Sequence, residues 1–432
     1  MNSVRPKIVT LASLTPPEKK VESAETSTPL AQTAESQLRL ARYRQIMARL
    51  QQETAEVGSD VMITVPDREV SLAQSQLADK ATETQPLPSG GQEVKFGTGF
   101  SGGDWLRWIW SVTDWVDRTA AHPMLRPKNM TPDTLSGDMR VAITADWGTG
   151  LYGAPKIADR MRQMASTGKF DVAMHLGDIY YSGTEDEVRD RFIDVWPTDA
   201  ANINRALNAN HEMYSGGFGY FKIILPHFNQ EASYFALQNE HWLLVGLDTA
   251  YVDHDIDNQQ VAWLNVVISE AQKPKPRKVV LFSHQQPFSR LDAQGPKLQK
   301  ALRHLLEGRR IKAWYWGHEH DCVLYDEHPT WKMFGRCLGN GGIPSARNKD
   351  VQKATADPAH PGAGDCVWRR LDATVDSPGC IVLDGPNADM EKEKDRQKFV
   401  PHGFMTLEFK GNELTERVLL SNGTEVFANT LK

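Results

Sequence analysis

The sequence predicts an α/β fold in which buried strands, gathered into sheets, are covered by helices. Three observations predict it. From Met139 onward, short apolar runs of strand length alternate with longer segments of helical period. Those runs end in Asp, Asn or His, followed by a sharp or Gly-bearing turn, and ligands gather at the carboxyl ends of strands in open α/β sheets. The 432 residues are 40% hydrophobic and 24% charged, an ordinary globular composition with room for a large core and more than one domain.

The elements follow in order along the chain. Residues 1–33 are rich in Pro, Ser, Thr, Glu and Lys and read as disordered. Residues 34–57 read as one helix, with Leu38, Leu40, Ile46, Met47 and Leu50 forming its apolar stripe. The stretch QPLPSGGQ at 85–92 reads as linker. Residues 104–119 place Trp105, Trp108 and Trp115 on one helical face, expected to pack on the main domain. A domain boundary is expected near 135, which divides the chain into 1–33, a helical extension 34–135 and a main domain 136–432. In that domain MRVAITAD (139–146), FDVAMHLGD (170–178), INRALNAN (203–210), HWLLVGLD (241–248), RKVVLFSH (277–284) and IKAWYWGH (311–318) read as buried strands. Residues 153–167 and 259–272 read as helices between them. The charged run 389–398 reads as a solvated loop or helix face, and 402–426 as closing antiparallel strands with Gly-Asn and Asn-Gly turns.

Composition also narrows function. The net charge of −6 argues against general nucleic-acid binding. No stretch approaches the roughly 18 apolar residues of a membrane span, and the short run Ile8 to Leu14 lacks a clear cleavage site, so a cytoplasmic location is expected. Cys322, Cys337, Cys366 and Cys380 form no C-x-x-C pair and read as buried free thiols.

The chemistry lies at the strand ends. Asp146, Asp178, Asn210, His284 and His318 should converge although they are far apart in sequence. Singly, each has an ordinary explanation as a helix cap, a turn or a buried imidazole. Gly317-His318-Glu319-His320 is more pointed, because histidines two apart in a loop can approach neighbouring cations from one side. Together, two carboxylates, an amide and three imidazoles exceed one four-coordinate ion and suit two, with Asp178 shared. A pair of metal ions can clamp a phosphate and bring a bound water towards neutrality as a nucleophile.

The order D…GD…NHE…H…GHxH resembles the calcineurin-like metallophosphoesterase superfamily. Asp146-Trp147-Gly148 and Gly177-Asp178-Ile179-Tyr180-Tyr181 are similar to its purple acid phosphatase branch. The resemblance covers about 139–345, including Leu247-Asp248-Thr249 and Gln260-Val261-Ala262-Trp263-Leu264. It implies two mixed β-sheets packed as a sandwich and flanked by helices, four layers in all. It implies a first metal on Asp146, Asp178, Tyr181 and His320, and a second on Asp178, Asn210, His284 and His318. The ions would be iron, manganese or zinc, with ferric iron at the first site if Tyr181 binds. His211 would steady charge and protonate the leaving oxygen without binding metal, and Glu212 would orient His211. A metal-bridging hydroxide would attack phosphorus in line.

The implied activity is a phosphomonoesterase acting on small or protein-bound phosphate esters. The alternatives are a phosphodiesterase on cyclic nucleotides or nucleic-acid ends, and a non-catalytic scaffold on the same fold. Two departures stand out. Ala209 replaces the family's usual Gly, and Gln285-Gln286 follows His284 where relatives carry His or Tyr. Tyr180 and Tyr181 stand side by side, and spacing favours Tyr181 as the ligand. The substrate-contacting residues and the partner of the N-terminal extension are not indicated.

Overall fold

Both faces of a central strand must be covered when its residues are apolar throughout, and the runs from Met139 onward meet that condition. In strand Met139–Thr144, Met139, Val141 and Ile143 enter one apolar layer while Ala142 enters another. In strand Ile311–Trp316, Ala313 and Tyr315 face that same first layer, and Trp314 and Trp316 face a third. The computed structural model describes residues 121–431 apart from 136, 149 and 180, together with 38, 41, 45, 46, 48, 49, 52, 67–72 and 75.

Among the described residues, fifteen strands form two mixed sheets. They are β1 (Asp133–Thr134), β2 (Met139–Thr144), β3 (Phe170–His175), β4 (Ala201–Ala206), β5 (Phe235–Gln238), β6 (Trp242–Gly246), β7 (Lys278–Phe282), β8 (Ile311–Trp316), β9 (Cys322–Glu327), β10 (Phe334–Leu338), β11 (Val367–Leu371), β12 (Cys380–Asp384), β13 (Gly403–Lys410), β14 (Glu413–Leu420) and β15 (Glu425–Leu431). One sheet has nine strands in the order β1-β5-β6-β7-β8-β10-β9-β12-β11, and the other has six, β15-β14-β13-β2-β3-β4. The sheets face each other across one core. Helices Asn258–Glu270, Pro296–Ala301 and Arg303–Glu307 cover the outside of the larger sheet, and helix Gly153–Ala165 covers the smaller. This is the four-layer arrangement that the sequence implied.

The six expected strands form, but all six stop two to four residues before their polar end. β4 ends at Ala206, and Asn210 opens the short helix Asn210–Met213 instead of ending a strand. Strands β9 to β12, not anticipated, complete the larger sheet. The closing segment becomes the three-strand meander β13-β14-β15. Within 389–398, expected to be solvated, Asp389 is buried as the acceptor of three side chains. The four cysteines are free and buried.

Described positions 38, 41, 45, 46, 48, 49 and 52 are helical, as expected for 34–57. Residues 1–33, the stretch 85–92, the Trp-bearing segment 104–119 and Tyr180 lie outside the described residues. Residues 133–134 add β1 to the edge of the larger sheet through parallel pairing with β5. Among the described residues no helix is long and apolar enough to cross a membrane.

Candidate metal centre

Parallel pairing places the carboxyl ends of β2, β3 and β4 at one edge of the smaller sheet, and those of β6, β7 and β8 at one edge of the larger. The loops leaving these edges meet above the sandwich. Asp146, Asp178, His318 and His320 all hold a left-handed backbone, with φ of 55°, 56°, 70° and 52°. Such angles are uncommon outside glycine and persist only where surrounding structure enforces them, which marks functional loops. Tight glycine contacts enforce them here. A Cβ on Gly317 would lie 2.4 Å from Asp146 Oδ2, and one on Gly177 would lie 2.6 Å from the Ala209 Cβ. Gly177 therefore leaves the room that Ala209 takes up.

Two clusters form around one carboxylate. Asp178, His284 and His318 bring ligand atoms within 4.8 Å of one another, and so do Asp146, Asp178 and His320. His284 Nε2 lies 3.3 Å from Asp178 Oδ1, 3.1 Å from Asn210 Oδ1 and 3.2 Å from His318 Nδ1. His320 Nε2 lies 3.4 Å from Asp146 Oδ1 and 3.9 Å from Asp178 Oδ2. His284 Nδ1 is 2.9 Å from the Leu176 carbonyl, which only accepts, so Nδ1 carries the proton. The inward face of the cluster is then the Nε2 edge of His284, the Asn210 amide oxygen and the Asp178 carboxylate. A buried carboxylate and amide oxygen facing this edge need positive charge among them, supplied by a proton or a metal ion. The outward Nδ1–H of His284, bonded to a backbone carbonyl, is the support that metal-bound imidazoles usually have. On these grounds the residues fit a pair of metal ions.

The electrostatics agree. Burial alone would raise Asp178, but His211 and His284 beside it hold its carboxyl well below the usual range. Burial works against a charge on His284, yet Asp178 pushes it up to about 9, and Asp146 with Asp178 pushes His320 up to about 10. Two imidazolium protons thus take the places in which cations would sit. Burial raises Asp146, and burial followed by the adjacent His284 drives His318 well down.

His211 stands beside the clusters, outside both. Its Nε2 lies 3.8 Å from Asp178 Oδ2, and its Nδ1 donates 2.5 Å to the Tyr181 carbonyl. Burial lowers its affinity for a second proton, and the Asp178 charge opposes that. Glu212 departs from the expectation that it orients His211. Its carboxyl accepts the backbone N–H groups of Asp178 at 3.1 Å and Ile179 at 2.8 Å, so it shapes the Asp178 loop. The orienting acceptor for His211 is a main-chain carbonyl, which carries no sequence signal. Burial, then the Asp178 charge, raises Glu212 to about 8. Tyr181 is buried in the same loop.

Several site residues escaped sequence reasoning. Gln285 Nε2 lies 3.4 Å from Asn210 Oδ1, and Gln285 is itself held by Thr249 Oγ1. Asn210 Nδ2 donates to the Tyr214 hydroxyl at 3.2 Å, so both ends of the amide are fixed with oxygen inward. The signal for Tyr214 was its place four residues after Asn210. Gln285 appeared in the sequence only as a departure from the family. His254, with φ of 54° and its ring edge-on to His318 at 5.2 Å, lines the exposed rim. Trp147 reaches no ligand atom. It is fully buried against His175, Phe192 and Trp196 and supports the Asp146 loop from below.

The model of the family described as calcineurin-like phosphoesterase matches residues 139–322, a span that contains every candidate ligand. No curated protein matches the chain. Among solved structures, similarity is found to GAP50, the anchor in the inner membrane complex of Plasmodium, at 12% identity over 69% of this chain and 89% of that one, TM-score 0.46. PhoD is similar at 12% identity over 69% and 70%, TM-score 0.41. A putative 5'-nucleotidase from Staphylococcus aureus is similar at 12% identity over 60% and 57%, TM-score 0.34.

Proposed function

From the match of residues 139–322 to the calcineurin-like phosphoesterase family model, we propose that the chain is a dinuclear metal-dependent phosphoric ester hydrolase that prefers monoesters. The observation that carries this reading is the pair of acceptor clusters sharing Asp178, each with a buried carboxylate and at least one imidazole. Asp146, Asp178 and His320 would hold the first ion, with the Tyr181 phenol as a further ligand. Asp178, Asn210, His284 and His318 would hold the second. When bound, the ions would supply the Lewis acidity that activates water and draws in the phosphate.

The chain's own residues then do the rest. Glu212 holds the Asp178 loop through two backbone N–H groups. Gln285 and Tyr214 keep the Asn210 oxygen turned inward. His211, with Nδ1–H tied to the Tyr181 carbonyl, presents Nε2 to the reacting side and there passes a proton to the leaving oxygen. Burial depresses this imidazole, so its acid form belongs to acidic solution, which suits an acid phosphatase-like enzyme. The preference for monoesters rests on the likeness of the first two motifs to the purple branch.

The test is elemental analysis of the purified protein with turnover of p-nitrophenyl phosphate and bis-p-nitrophenyl phosphate in the presence of iron, manganese or zinc. Two metal equivalents and faster monoester turnover are expected. Faster diester turnover would overturn the monoester preference, and turnover of neither, with metal bound, would leave a scaffold. Tyrosinate on ferric iron predicts a visible band that Tyr181→Phe abolishes, and a colourless, iron-free active enzyme would refute that ligand.

A further inference from the structure

We propose that residues 67–72 and Ser75, outside the family-matched region, complete this site, and that Ser71 is a positioning residue acting on His211 through the Tyr181 carbonyl. The inference rests on the role of His211 proposed above. Val70, Ser71, Leu72 and Ser75 are fully buried. The Ser71 hydroxyl donates to the Tyr181 carbonyl and lies 3.4 Å from His211 Nδ1, which donates to the same oxygen. One carbonyl therefore takes two donors, and its place determines where the imidazole points. Two further contacts bracket it. Ser75 Oγ bonds Ser182 Oγ, and Arg68 Nε donates 3.0 Å to the Tyr214 carbonyl, whose ring lies 4.7 Å from that of His211.

The segment has its own reasons to be ordered. Asp67 caps it, with Oδ1 accepting from the Val70 N–H at 3.0 Å and its carbonyl from the Ser71 N–H at 2.9 Å. Arg49 pairs with Asp67 and Glu69, but these groups are about a third or more exposed and contribute little. Val70 and Leu72 do the anchoring by burial. The Tyr181 carbonyl belongs to a loop flanked by Gly177 and Gly183, both at positive φ, and the Ser71 hydroxyl reaches it from outside that loop.

A displaced imidazole harms proton transfer more than binding. Ser71→Ala should therefore keep two metal equivalents and KM, and lower kcat on the order of tenfold for an alkyl phosphate. For p-nitrophenyl phosphate, whose leaving group needs little protonation, the loss should be about twofold or less. Ser71→Thr, which keeps the hydroxyl, should restore most of the alkyl rate. In Ser71→Ala/His211→Ala the serine change should cost nothing further, because it acts through the missing ring. Nitrogen NMR of the zinc-loaded protein should show the His211 imidazole losing its fixed Nδ1–H form in Ser71→Ala while that of His284 is unchanged. Equal losses for both substrates, or additive losses in the double variant, would overturn the inference, as would an unchanged His211 signal. Should wild type hydrolyse neither ester, the proposed function fails, whereas the NMR comparison still judges Ser71.

Discussion

At the scale of single residues, the centre combines charge that must be displaced with charge that must be kept. His284 and His320 are pushed up to about 9 and about 10, so both carry protons near neutrality, and a metal ion must remove them to bind. The sign follows directly: protons compete, so affinity grows as pH rises. Competition with a chelator should show affinity at least about tenfold tighter near pH 8 than near pH 6. A flat profile would mean that these imidazoles do not bind metal. Asp178→Asn should lose metal at both sites. His211→Ala should retain both ions and slow turnover about a hundredfold, and metal loss in it would refute the division of roles. The residues that meet here were legible because each ends a strand-like run in a polar type, and the five positions share one chemistry. Ser71, Thr249, Gln285 and the Tyr181 carbonyl were not, because they act on Asn210 and His211 across distances in sequence that no local pattern encodes.

At the scale of elements, the loops hang on buried polar hubs. Asp389 joins three of them: it accepts from Lys156 of helix Gly153–Ala165 at 2.7 Å, from Ser421 after β14 at 2.9 Å, and from His402 before β13 at 3.1 Å. His402 in turn lies against Gly153, the first residue of that helix, and 3.3 Å from the Ile343 carbonyl. Ile343 N–H donates to the Asp146 carbonyl, so the hub braces the first ligand loop. Burial opposes the charge on Asp389, but the hydrogen bond with His402 holds it below the usual carboxylate range. A depressed carboxyl stabilises the fold above its unfolded pKa and loses that contribution as pH falls. Thermal melts should therefore show wild type losing stability below about pH 4 more steeply than Asp389→Asn, which itself should cost about 2–4 kcal/mol at neutral pH. Equal acid slopes would refute the assignment. This hub was hidden because 389–398 has the composition of a solvated face. Strands β9 to β12 were hidden because their runs are short and end in no chemistry.

At the scale of the whole molecule, the sandwich is what lets two sheets deliver the proposed ligands to one place. The smaller sheet supplies Asp146, Asp178 and Asn210, and the larger supplies His284, His318 and His320. The sheet pairing was not legible from periodicity, since a strand buried on both faces reads the same whichever sheet it joins. One buried ion pair ties the layers across the core. Arg336 of β10 meets Glu416 of β14 in two bonds of 2.8 and 2.9 Å, and the Tyr315 hydroxyl of β8 donates to the same carboxylate at 2.7 Å. Both charged side chains are nearly inaccessible, at 3% and 0%. Such a pair is expensive to desolvate, and it is far more expensive to break. Glu416→Leu leaves the guanidinium uncompensated in the core and should cost about 3–5 kcal/mol, read as a lowered denaturation midpoint. Arg336→Met/Glu416→Leu removes both charges while keeping apolar volume, and it should be closer to wild type than the single variant is. Because the pair spans the two sheets that hold the two halves of the centre, Glu416→Leu should also weaken metal retention, while the double variant keeps it. If the single and double variants lost stability and metal alike, the pair would not be what aligns the sheets.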